Sequence, residues 1–333
     1  MTIGLLTPHP VILSSLHLVT PMTIILLEPV HADAHALLQR YGNVVLLSDP
    51  TDFAMIKQTP NVEALITRGR GQIRRELMAA LPGLRVVARC GVGLDNIDTL
   101  AANELGVTVV YAPGSTTTAV AEHTLMLMLA LARGLVRLDG AVKAGHWAVR
   151  NGYSGIELAG KTLGIVGMGD IGRRVAQLAA AFGMKVIYWN RRSVSATGEA
   201  VEFDQLLARA DVISLHVALT PETRHIINRQ ALEQMKPGAL LINSARGSLV
   251  DQAALLEAIE SGKIGGYASD VLDAEPPNAG DTLVASPQTV ITPHIAALTD
   301  ATYRLISVST CENVVAFLQY SNPDPKSIYR RPL

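Results

Sequence analysis

The sequence predicts an α/β protein whose main domain is a doubly wound parallel sheet of the Rossmann type. From Met22 to about Thr292, short apolar runs typical of buried strands alternate with segments of helical periodicity. Helices that alternate with strands in this way cover both faces of a parallel sheet. Between Lys161 and Arg192, one such unit also carries the glycine spacing of a dinucleotide-binding site. A length of 333 residues favours two domains.

The central βαβ unit begins with the apolar run Leu163–Val166, which predicts a buried strand, and continues with the motif Gly167-Met-Gly-Asp-Ile-Gly172. Apolar residues then recur at helical spacing until Gly183, which predicts the end of the helix. Lys185–Trp189 predicts the second strand. Glycines at this spacing also serve ordinary turns, but the strand, helix and second strand around them favour a dinucleotide site.

Each glycine of the motif has a predicted role in binding a pyrophosphate. Gly167 permits the tight turn, Gly169 lets the backbone approach the anion, and Gly172 lets helix and strand pack closely. The helix N-terminus, with Asp170 and Ile171, offers free N–H groups to the phosphates.

Composition excludes several classes of function. The chain is 49% hydrophobic and 17% charged, with a formal charge of −1 and 4% aromatics, so it has no basic field or stacking platform for nucleic acid. Cys90 and Cys311 neither form a disulfide framework nor have metal-ligand spacing. We therefore expect two buried thiols, no metal site and a reducing, cytoplasmic location.

The start of the chain raises the question of a targeting or membrane segment, because residues 1–27 contain no Asp, Glu, Lys or Arg. Pro8, Pro10 and Pro21 interrupt the apolar stretch and no basic segment precedes it, so we expect neither a signal peptide nor a membrane span. The first convincing strand begins at Met22. We expect residues 1–21 to be an extension outside the fold.

The remaining elements form a small α/β unit before the central βαβ unit and a continuation of the main sheet after it. In the small unit, the predicted strands are Ile24–Leu27, Val44–Leu47, Ala64–Thr67, Val86–Ala88 and Val107–Tyr111, with helices near Ala32–Tyr41, Asp52–Gln58 and Ile73–Ala80. In the continuation, the predicted strands are Asp211–His216, Ala239–Asn243, Gly266–Asp270 and Thr289–Thr292, with helices near Phe203–Ala210, Gln230–Met235 and Gln252–Ser261.

A long apolar helix should connect the small unit to the main sheet. The hydroxyls of Ser115–Thr118 are predicted to cap its N-terminus, with Glu122 in the first turn, and it should run to about Arg133. At the other end of the chain, Asn322–Leu333 is rich in proline and basic residues, which predicts a solvated tail.

Candidate catalytic residues follow the ends of predicted strands, where ligands of doubly wound sheets bind. Arg246 follows the strand ending at Asn243, Glu275 follows Asp270, and His294 follows the strand ending at Thr292. An imidazolium can protonate a carbonyl oxygen as a hydride reaches its carbon, a carboxylate can hold that imidazole, and a guanidinium can bind a substrate carboxylate. Taken singly, the alternatives are a surface ion pair for Arg246, a capping role for Glu275 and a loop position for His294.

Four ordered motifs resemble the signatures of the D-isomer-specific 2-hydroxyacid dehydrogenase family. They are Gly167-Met-Gly-Asp-Ile-Gly172, Asn243-Ser-Ala-Arg-Gly-Ser-Leu-Val-Asp251, Asp270-Val-Leu-Asp-Ala-Glu-Pro276 and Pro293-His-Ile-Ala296. Arg89-Cys-Gly-Val-Gly-Leu-Asp-Asn-Ile-Asp98 and Val120-Ala-Glu-His123 are also similar to family stretches. The resemblance covers about residues 22–320.

The resemblance implies a smaller, flavodoxin-like substrate domain formed by residues 22–115 and 297–333, and a dinucleotide-binding domain formed by residues 116–296. Hinge helices should join the two domains, and a homodimer should form largely through the cofactor domain. The catalytic residues would be Arg246, Glu275 and His294, with Glu275 as the partner of His294. The loop Cys90–Gly93 would present N–H groups to the substrate carboxylate, and Arg68 would border the cleft.

The implied binding residues form two sets. The cofactor set is Gly167, Gly169, Asp170, Ile171, Gly172, Asn190, Arg191, Arg192, His216, Val217, Thr223, Ser244, Ala245, Arg246, Asp270, His294 and Ala296. The substrate set is Arg68, Gly91, Val92, Gly93, Arg246 and His294.

The implied substrate is a small 2-oxo or D-2-hydroxy acid, with glyoxylate or hydroxypyruvate reduction favoured. A phosphoglycerate dehydrogenase is the alternative, although such enzymes often carry an added C-terminal regulatory domain and only about forty residues follow His294 here. A second alternative is a dinucleotide-sensing protein without turnover, like the transcriptional corepressors of the family.

The end of the second strand of the βαβ unit predicts the cofactor. An NAD site expects Asp or Glu there, to accept hydrogen bonds from the ribose 2′-hydroxyl, but the sequence reads Asn190-Arg-Arg192. Two guanidinium groups suit a 2′-phosphate, so the sequence favours NADP over NAD. The alternative is that both arginines are solvated surface charges.

Overall fold

Two parallel sheets organise the computed structural model, which describes residues 22–192, 194, 196–320 and 322–330. The predicted N-terminal extension, residues 1–21, lies outside the described residues. All strand pairs within both sheets are parallel.

The smaller sheet has five strands in the order β2-β1-β3-β4-β5. This is the flavodoxin-like order, so the predicted architecture of the small unit is confirmed. Its strands are β1 (Thr23–Leu26), β2 (Asn43–Leu46), β3 (Val62–Thr67), β4 (Val86–Arg89) and β5 (Thr108–Val110). The helices between them are α1 (Ala32–Gln39), α2 (Phe53–Gln58), α3 (Arg75–Ala79) and α4 (Thr99–Glu104), of which α4 was not predicted.

The larger sheet has seven strands in the order β12-β11-β10-β9-β6-β7-β8. The order reverses at β6, as in a Rossmann sheet, and ligands of such sheets bind beside that reversal. Its strands are β6 (Thr162–Val166), β7 (Lys185–Trp189), β8 (Glu199–Ala200), β9 (Val212–Leu215), β10 (Ala239–Asn243), β11 (Ile264–Ser269) and β12 (Thr289–Ile291). Its helices are α5 (Thr117–Ala132), α6 (Leu135–Lys143), α7 (Asp170–Ala181), α8 (Phe203–Arg209), α9 (Arg229–Gln234), α10 (Gln252–Glu260) and α11 (Thr282–Ala285).

Two long helices connect the sheets. Helix α5 packs on the larger sheet, and nine of its sixteen residues are buried, as its apolar sequence predicts. Helix α12 (Asp300–Tyr320) returns to the smaller sheet and packs against α1 and β4, with Cys311, Val314 and Leu318 in the core. The thiols of Cys311 and Cys90 are both buried in that core, as expected.

The predicted start of α5 was wrong in two respects. The hydroxyl of Ser115 donates to the carbonyl of Ala112 at 2.7 Å, and Thr116 caps the helix without a side-chain hydrogen bond. The serine hydroxyl is thus used within the preceding turn, and no side-chain hydrogen bond caps the helix. The helix begins at Thr117, which places Glu122 beyond its first turn.

The prediction of a solvated C-terminal tail was also wrong for the described residues 322–330. Ile328 forms an antiparallel bridge to Val110 on strand β5, and Tyr329 N–H donates to the carbonyl of Val109 at 2.9 Å. The ring of Tyr329 meets Tyr111 edge to face and packs on the core. Since β5 is an edge strand with unpaired backbone groups, this segment covers an edge that would otherwise be open.

No helix within the described ranges is long and apolar enough to cross a membrane.

We expect Tyr329→Ala to lower the free energy of unfolding by about 1–3 kcal/mol, because the substitution removes a half-buried aromatic ring and its edge-to-face partner. Tyr320→Ala is the matched control, since the Tyr320 side chain is 72% exposed at the end of α12. Urea denaturation of both variants measures the effect. Equal losses in the two variants would contradict the packing of the tail.

Candidate active site

The glycine motif forms a tight turn at the carboxyl end of β6. Gly167 has φ +102°, and a Cβ there would lie 2.7 Å from the backbone of His216. A Cβ on Gly172 would lie 2.2 Å from the carbonyl oxygen of Gly167, so α7 approaches the turn at a distance that only glycine permits. A Cβ on Gly169 would meet no atom within 4 Å. The space above Gly169, at the N-terminus of α7, therefore suits an anion such as a pyrophosphate.

Asn190 links the end of β7 to this turn. Its Oδ1 accepts from the N–H of Met168 at 3.0 Å, and its Nδ2 donates to the carbonyl of Arg192 at 2.8 Å. Both side-chain groups therefore brace the loop. Arg191 and Arg192 are exposed beside it.

The segment after β9 forms the opposite wall of the turn. Val217 packs against Gly167, and the Nε2 of His216 lies 2.8 Å from the Oγ of Ser214. Burial lowers the pKa of His216 to about 4, so the ring is neutral near pH 7. Further along, the hydroxyl of Thr223 donates to the carbonyl of Ala218 at 2.7 Å and closes a turn.

Glu275 and His294 form a hydrogen-bonded pair. The Nδ1 of His294 lies 2.7 Å from the Oε2 of Glu275, and the N–H of Leu272 donates to Oε1 at 3.0 Å. Burial alone would raise the pKa of Glu275, but these hydrogen bonds, together with the charge of Arg246, lower it overall. Glu275 is therefore a carboxylate near pH 7, and Arg246 lies close enough to stabilise its charge. The structure thus brings the three predicted catalytic residues together.

The loop that carries His294 is held by the buried carboxylate of Asp270. His294 has φ +56°, and its N–H donates to the carbonyls of Asp270 and Thr292. The carboxylate of Asp270 accepts from the N–H groups of Ile295 and Ala296 at 2.9 and 2.8 Å and from the hydroxyl of Thr292 at 2.6 Å. Burial alone would raise the pKa of Asp270, but these donors and His123 lower it overall.

His123, on α5, completes this network in a role that sequence reasoning missed. Its Nε2 lies 2.9 Å from the Oγ1 of Thr292 and 3.4 Å from the Oδ1 of Asp270. One position further along α5, the hydroxyl of Thr124 lies 2.8 Å from that of Ser244, next to Ala245 and Arg246. The available signal was a group of polar residues, Glu122, His123 and Thr124, in the middle of a largely apolar helix.

The loop after β4 faces Arg246. Gly91 has φ +146°, and the N–H groups of Gly91, Val92 and Gly93 have no hydrogen-bond acceptor within the described ranges. The N–H of Cys90, in contrast, donates to the carbonyl of Thr67 at 2.9 Å. Cys90 therefore belongs to the sheet ladder, and its predicted place among the donors to a substrate was wrong.

The guanidinium of Arg246 lies against this loop. A Cβ on Gly93 would lie 1.8 Å from its Nη2. Asp95 Oδ2 accepts a hydrogen bond from Nε at 2.7 Å and lies 2.6 Å from Nη2 in an ion pair. The alternative interpretation of Arg246 was a surface ion pair. An ion pair is present, but the partner of Arg246, Asp95, lies in the cleft. Sequence reasoning gave Asp95 no role.

Two further arginines lie at the carboxyl ends of β3 and β4. The guanidinium of Arg68 lies 4.6 Å above the ring of Tyr303, and the buried carboxylate of Glu28 accepts from the N–H groups of Arg68 and Arg70. The Nε of Arg89 is buried without a hydrogen-bond partner. Burial, together with the charge of Arg246, lowers the pKa of Arg89 to about 10, so it remains a cation near pH 7.

No group of three or more His, Cys, Asp or Glu side chains within the described ranges is arranged to hold a metal ion.

Comparisons with known proteins place these motifs in one family. The family model described as "D-isomer specific 2-hydroxyacid dehydrogenase, NAD binding domain" matches residues 125–296. The glyoxylate reductase of Aeropyrum pernix is 39% identical over 88% of this chain and 92% of its own length. The D-3-phosphoglycerate dehydrogenase of Archaeoglobus fulgidus is 38% identical over 88% of this chain, which spans only 57% of that protein.

Solved structures share the same arrangement of both sheets. A glyoxylate reductase from Paecilomyes thermophila superposes with a TM-score of 0.84 at 32% identity. The match covers 92% of this chain and 99% of that one.

We expect Gly169→Ala to fold normally but to bind a dinucleotide at least about tenfold more weakly, because the added methyl group fills only the space above the loop. Gly172→Ala is the contrasting variant: its methyl group collides with the Gly167 carbonyl, and it should lower the melting temperature. Fluorescence titration with NADPH and thermal melting measure the two effects. Unchanged affinity in Gly169→Ala would remove the loop as the pyrophosphate site.

Proposed function

Because the chain belongs to the D-isomer-specific 2-hydroxyacid dehydrogenase family, we propose that it interconverts a small 2-oxo acid and the D-2-hydroxy acid. The observation that carries the proposal is the Glu275–His294 pair beside Arg246, facing a loop with free N–H groups. The glycine turn after β6 provides the cradle for a nicotinamide dinucleotide, which supplies the hydride when bound.

The three catalytic residues divide the remaining chemistry. In reduction, the imidazolium of His294 gives its proton to the carbonyl oxygen, and in the reverse direction the neutral ring takes it back. Glu275 holds the ring at Nδ1, which leaves Nε2 for the substrate. Arg246 and the N–H groups of Gly91–Gly93 bind the substrate carboxylate, and Asp270 keeps the His294 loop in place.

We further propose that residues 22–115 and 297–333 form the substrate domain, that residues 116–296 form the dinucleotide domain, and that two copies associate in the cytoplasm. Met126 and Phe182 are 45% and 46% exposed on one face of α5 and α7. Leu135 and Trp147, on the adjoining segment, are 59% and 65% exposed. This apolar surface suits a second copy of the chain, as light scattering can test.

Glyoxylate or hydroxypyruvate is the proposed substrate, because the cleft at Arg246 needs to hold only one carboxylate. A phosphoglycerate dehydrogenase is the second candidate, and the unpaired guanidinium of Arg89 favours it, since a second cation suits a substrate with a second anionic group. A dinucleotide sensor on the same fold is the third. It would bind the dinucleotide without turning over any 2-oxo acid.

His294→Ala should lower kcat by about two to four decades, the usual contribution of a positioned proton donor, and leave the affinity for the dinucleotide nearly unchanged. Steady-state kinetics and NADPH titration measure the two quantities. His146→Ala is the control, because His146 is exposed on a segment away from the cleft. A kcat within a few-fold of wild type in His294→Ala would exclude this residue as the proton donor.

A panel of 2-oxo acids identifies the substrate class. We expect turnover of glyoxylate and hydroxypyruvate by the wild type, with Arg89→Gln changing kcat/KM for these substrates by less than about tenfold because they carry one anionic group. A preference for phosphohydroxypyruvate that Arg89→Gln abolishes would instead establish the second candidate. NADPH binding without turnover of any member would establish the sensor.

The cofactor preference rests on the residues after β7. Asn190 stands where an acidic residue would repel a 2′-phosphate, and its amide braces the glycine loop. The pKa of Glu222 is lowered, chiefly by a hydrogen bond from Thr220 and in part by the charge of Arg191. Arg191 is therefore close enough to Glu222, in the turn that contains Thr223, for the two charges to interact. A 2′-phosphate beside Asn190 would meet Arg191 and Arg192, so we propose NADP as the cofactor and NAD as the alternative.

We expect kcat/KM to favour NADPH over NADH by about tenfold to a hundredfold, since a hydrogen bond to a charged group contributes about 1.5–3 kcal/mol. The triple variant with Asn190→Asp, Arg191→Ala and Arg192→Ala should prefer NADH. Arg174→Ala, which removes a partly exposed arginine from α7, is the control. A wild-type preference for NADH would overturn the proposal.

A further inference from the structure

The ion pair between Asp95 and Arg246 joins the two sheets across the cleft. Asp95 lies in the loop after β4 of the smaller sheet, and Arg246 follows β10 of the larger one. A single oxygen, Oδ2, accepts a hydrogen bond from Nε and also lies 2.6 Å from Nη2. This carboxylate therefore holds one edge of the guanidinium.

The other edge of Arg246 remains available. A guanidinium has five N–H donors. Asp95 takes the one on Nε and forms an ion pair with Nη2, and the carbonyl of Ala245 takes one on Nη1 at 2.7 Å. One donor on Nη1 and at least one on Nη2 are left, and two such donors can bind a carboxylate as a fork.

Arg89 supplies a reason why Arg246 needs a tether. The two guanidinium groups are close enough for their charges to interact, and the Nε of Arg89 has no hydrogen-bond partner. Two like charges in one cleft repel each other, and a long side chain without a tether turns away from such repulsion. The carboxylate of Asp95 stabilises both cations and fixes the position of one of them.

We propose that Asp95 is a positioning residue that holds the Arg246 guanidinium with its free fork toward the N–H groups of Gly91–Gly93. The substrate carboxylate then meets a preorganised set of donors from both sheets. This role rests on the proposed function. The opposite role is that Asp95 occupies Arg246 in place of the substrate and competes with it.

Two substitutions at Asp95 separate these roles. Asp95→Asn keeps an oxygen that can accept from Nε, whereas Asp95→Ala removes it. If Asp95 positions Arg246, KM for the 2-oxo acid should rise about tenfold or more in Asp95→Ala and about threefold or less in Asp95→Asn, since small misplacements at a reacting centre have large effects. If Asp95 competes with the substrate, KM should fall in both variants.

Binding of oxamate, a carboxylate analogue of a 2-oxo acid, to the dinucleotide-loaded enzyme provides a readout besides turnover. Its dissociation constant, measured by calorimetry, should rise in Asp95→Ala by about the same factor as KM. The affinity for NADPH and the melting temperature should stay at wild-type values. Asp49→Ala is the matched control, because Asp49 is an exposed carboxylate whose partner, Thr51, lies in its own turn.

The outcomes are distinct. Three results would overturn the positioning role: a fall in KM, no change in KM and oxamate affinity, or equal losses in Asp95→Ala and Asp95→Asn. In each case, turnover by the wild type would still support the proposed function. Weaker NADPH binding or a lower melting temperature in Asp95→Ala would show a structural role and would also overturn it. A wild type that turns over no 2-oxo acid would overturn the proposed function, and with it the role of Asp95.

Discussion

The carboxylate of Asp270 is the constraint on which the candidate site depends. A carboxylate that is 1% exposed is costly to desolvate unless donors surround it, and here it accepts from two backbone N–H groups and the hydroxyl of Thr292. Those donors lie on both sides of His294 in sequence. The cost of burying the charge is therefore offset only when the His294 loop adopts this one conformation, and the imidazole is then in position for Glu275.

The same carboxylate ties the site to helix α5. His123 contacts Asp270 and Thr292, and Thr124 contacts Ser244 one strand away. The helix therefore touches the supports of His294 and the segment that leads to Arg246. A movement of α5 would therefore displace the His294 loop and the segment before Arg246 together, because the helix contacts both.

The fold and most of the site could be predicted from the sequence because their signals are local. Strand β7 (Lys185–Trp189) and strand β10 (Ala239–Asn243) agree with the predicted limits, since buried parallel strands are short and continuously apolar. Arg246, Glu275 and His294 were identified because strand ends in such a sheet converge. The structure shows the contact between Glu275 and His294, and Arg246 lies close enough to interact with the charge of Glu275.

The features that could not be predicted from the sequence are contacts between residues distant in the chain. In the sequence, nothing distinguishes Asp95 from other loop carboxylates, because its partner Arg246 is distant in the chain. Glu28 likewise accepts hydrogen bonds from the N–H groups of Arg68 and Arg70 only after strands β1 and β3 have paired. The C-terminal segment was misjudged for the same reason. Its proline and basic residues are typical of a solvent-exposed segment. Its backbone nevertheless pairs with the edge strand β5.

Helix α12 has a consequence for the order in which the protein is made. Cys311, Val314 and Leu318 complete the core between α1 and strands β1, β3 and β4, although those strands leave the ribosome some two hundred residues earlier. The larger sheet is complete at β12 and can fold first, since domains generally fold as units during synthesis. The nascent five-stranded sheet must wait with one face uncovered, so this early-synthesised segment is the part of the chain that most needs chaperone protection during synthesis.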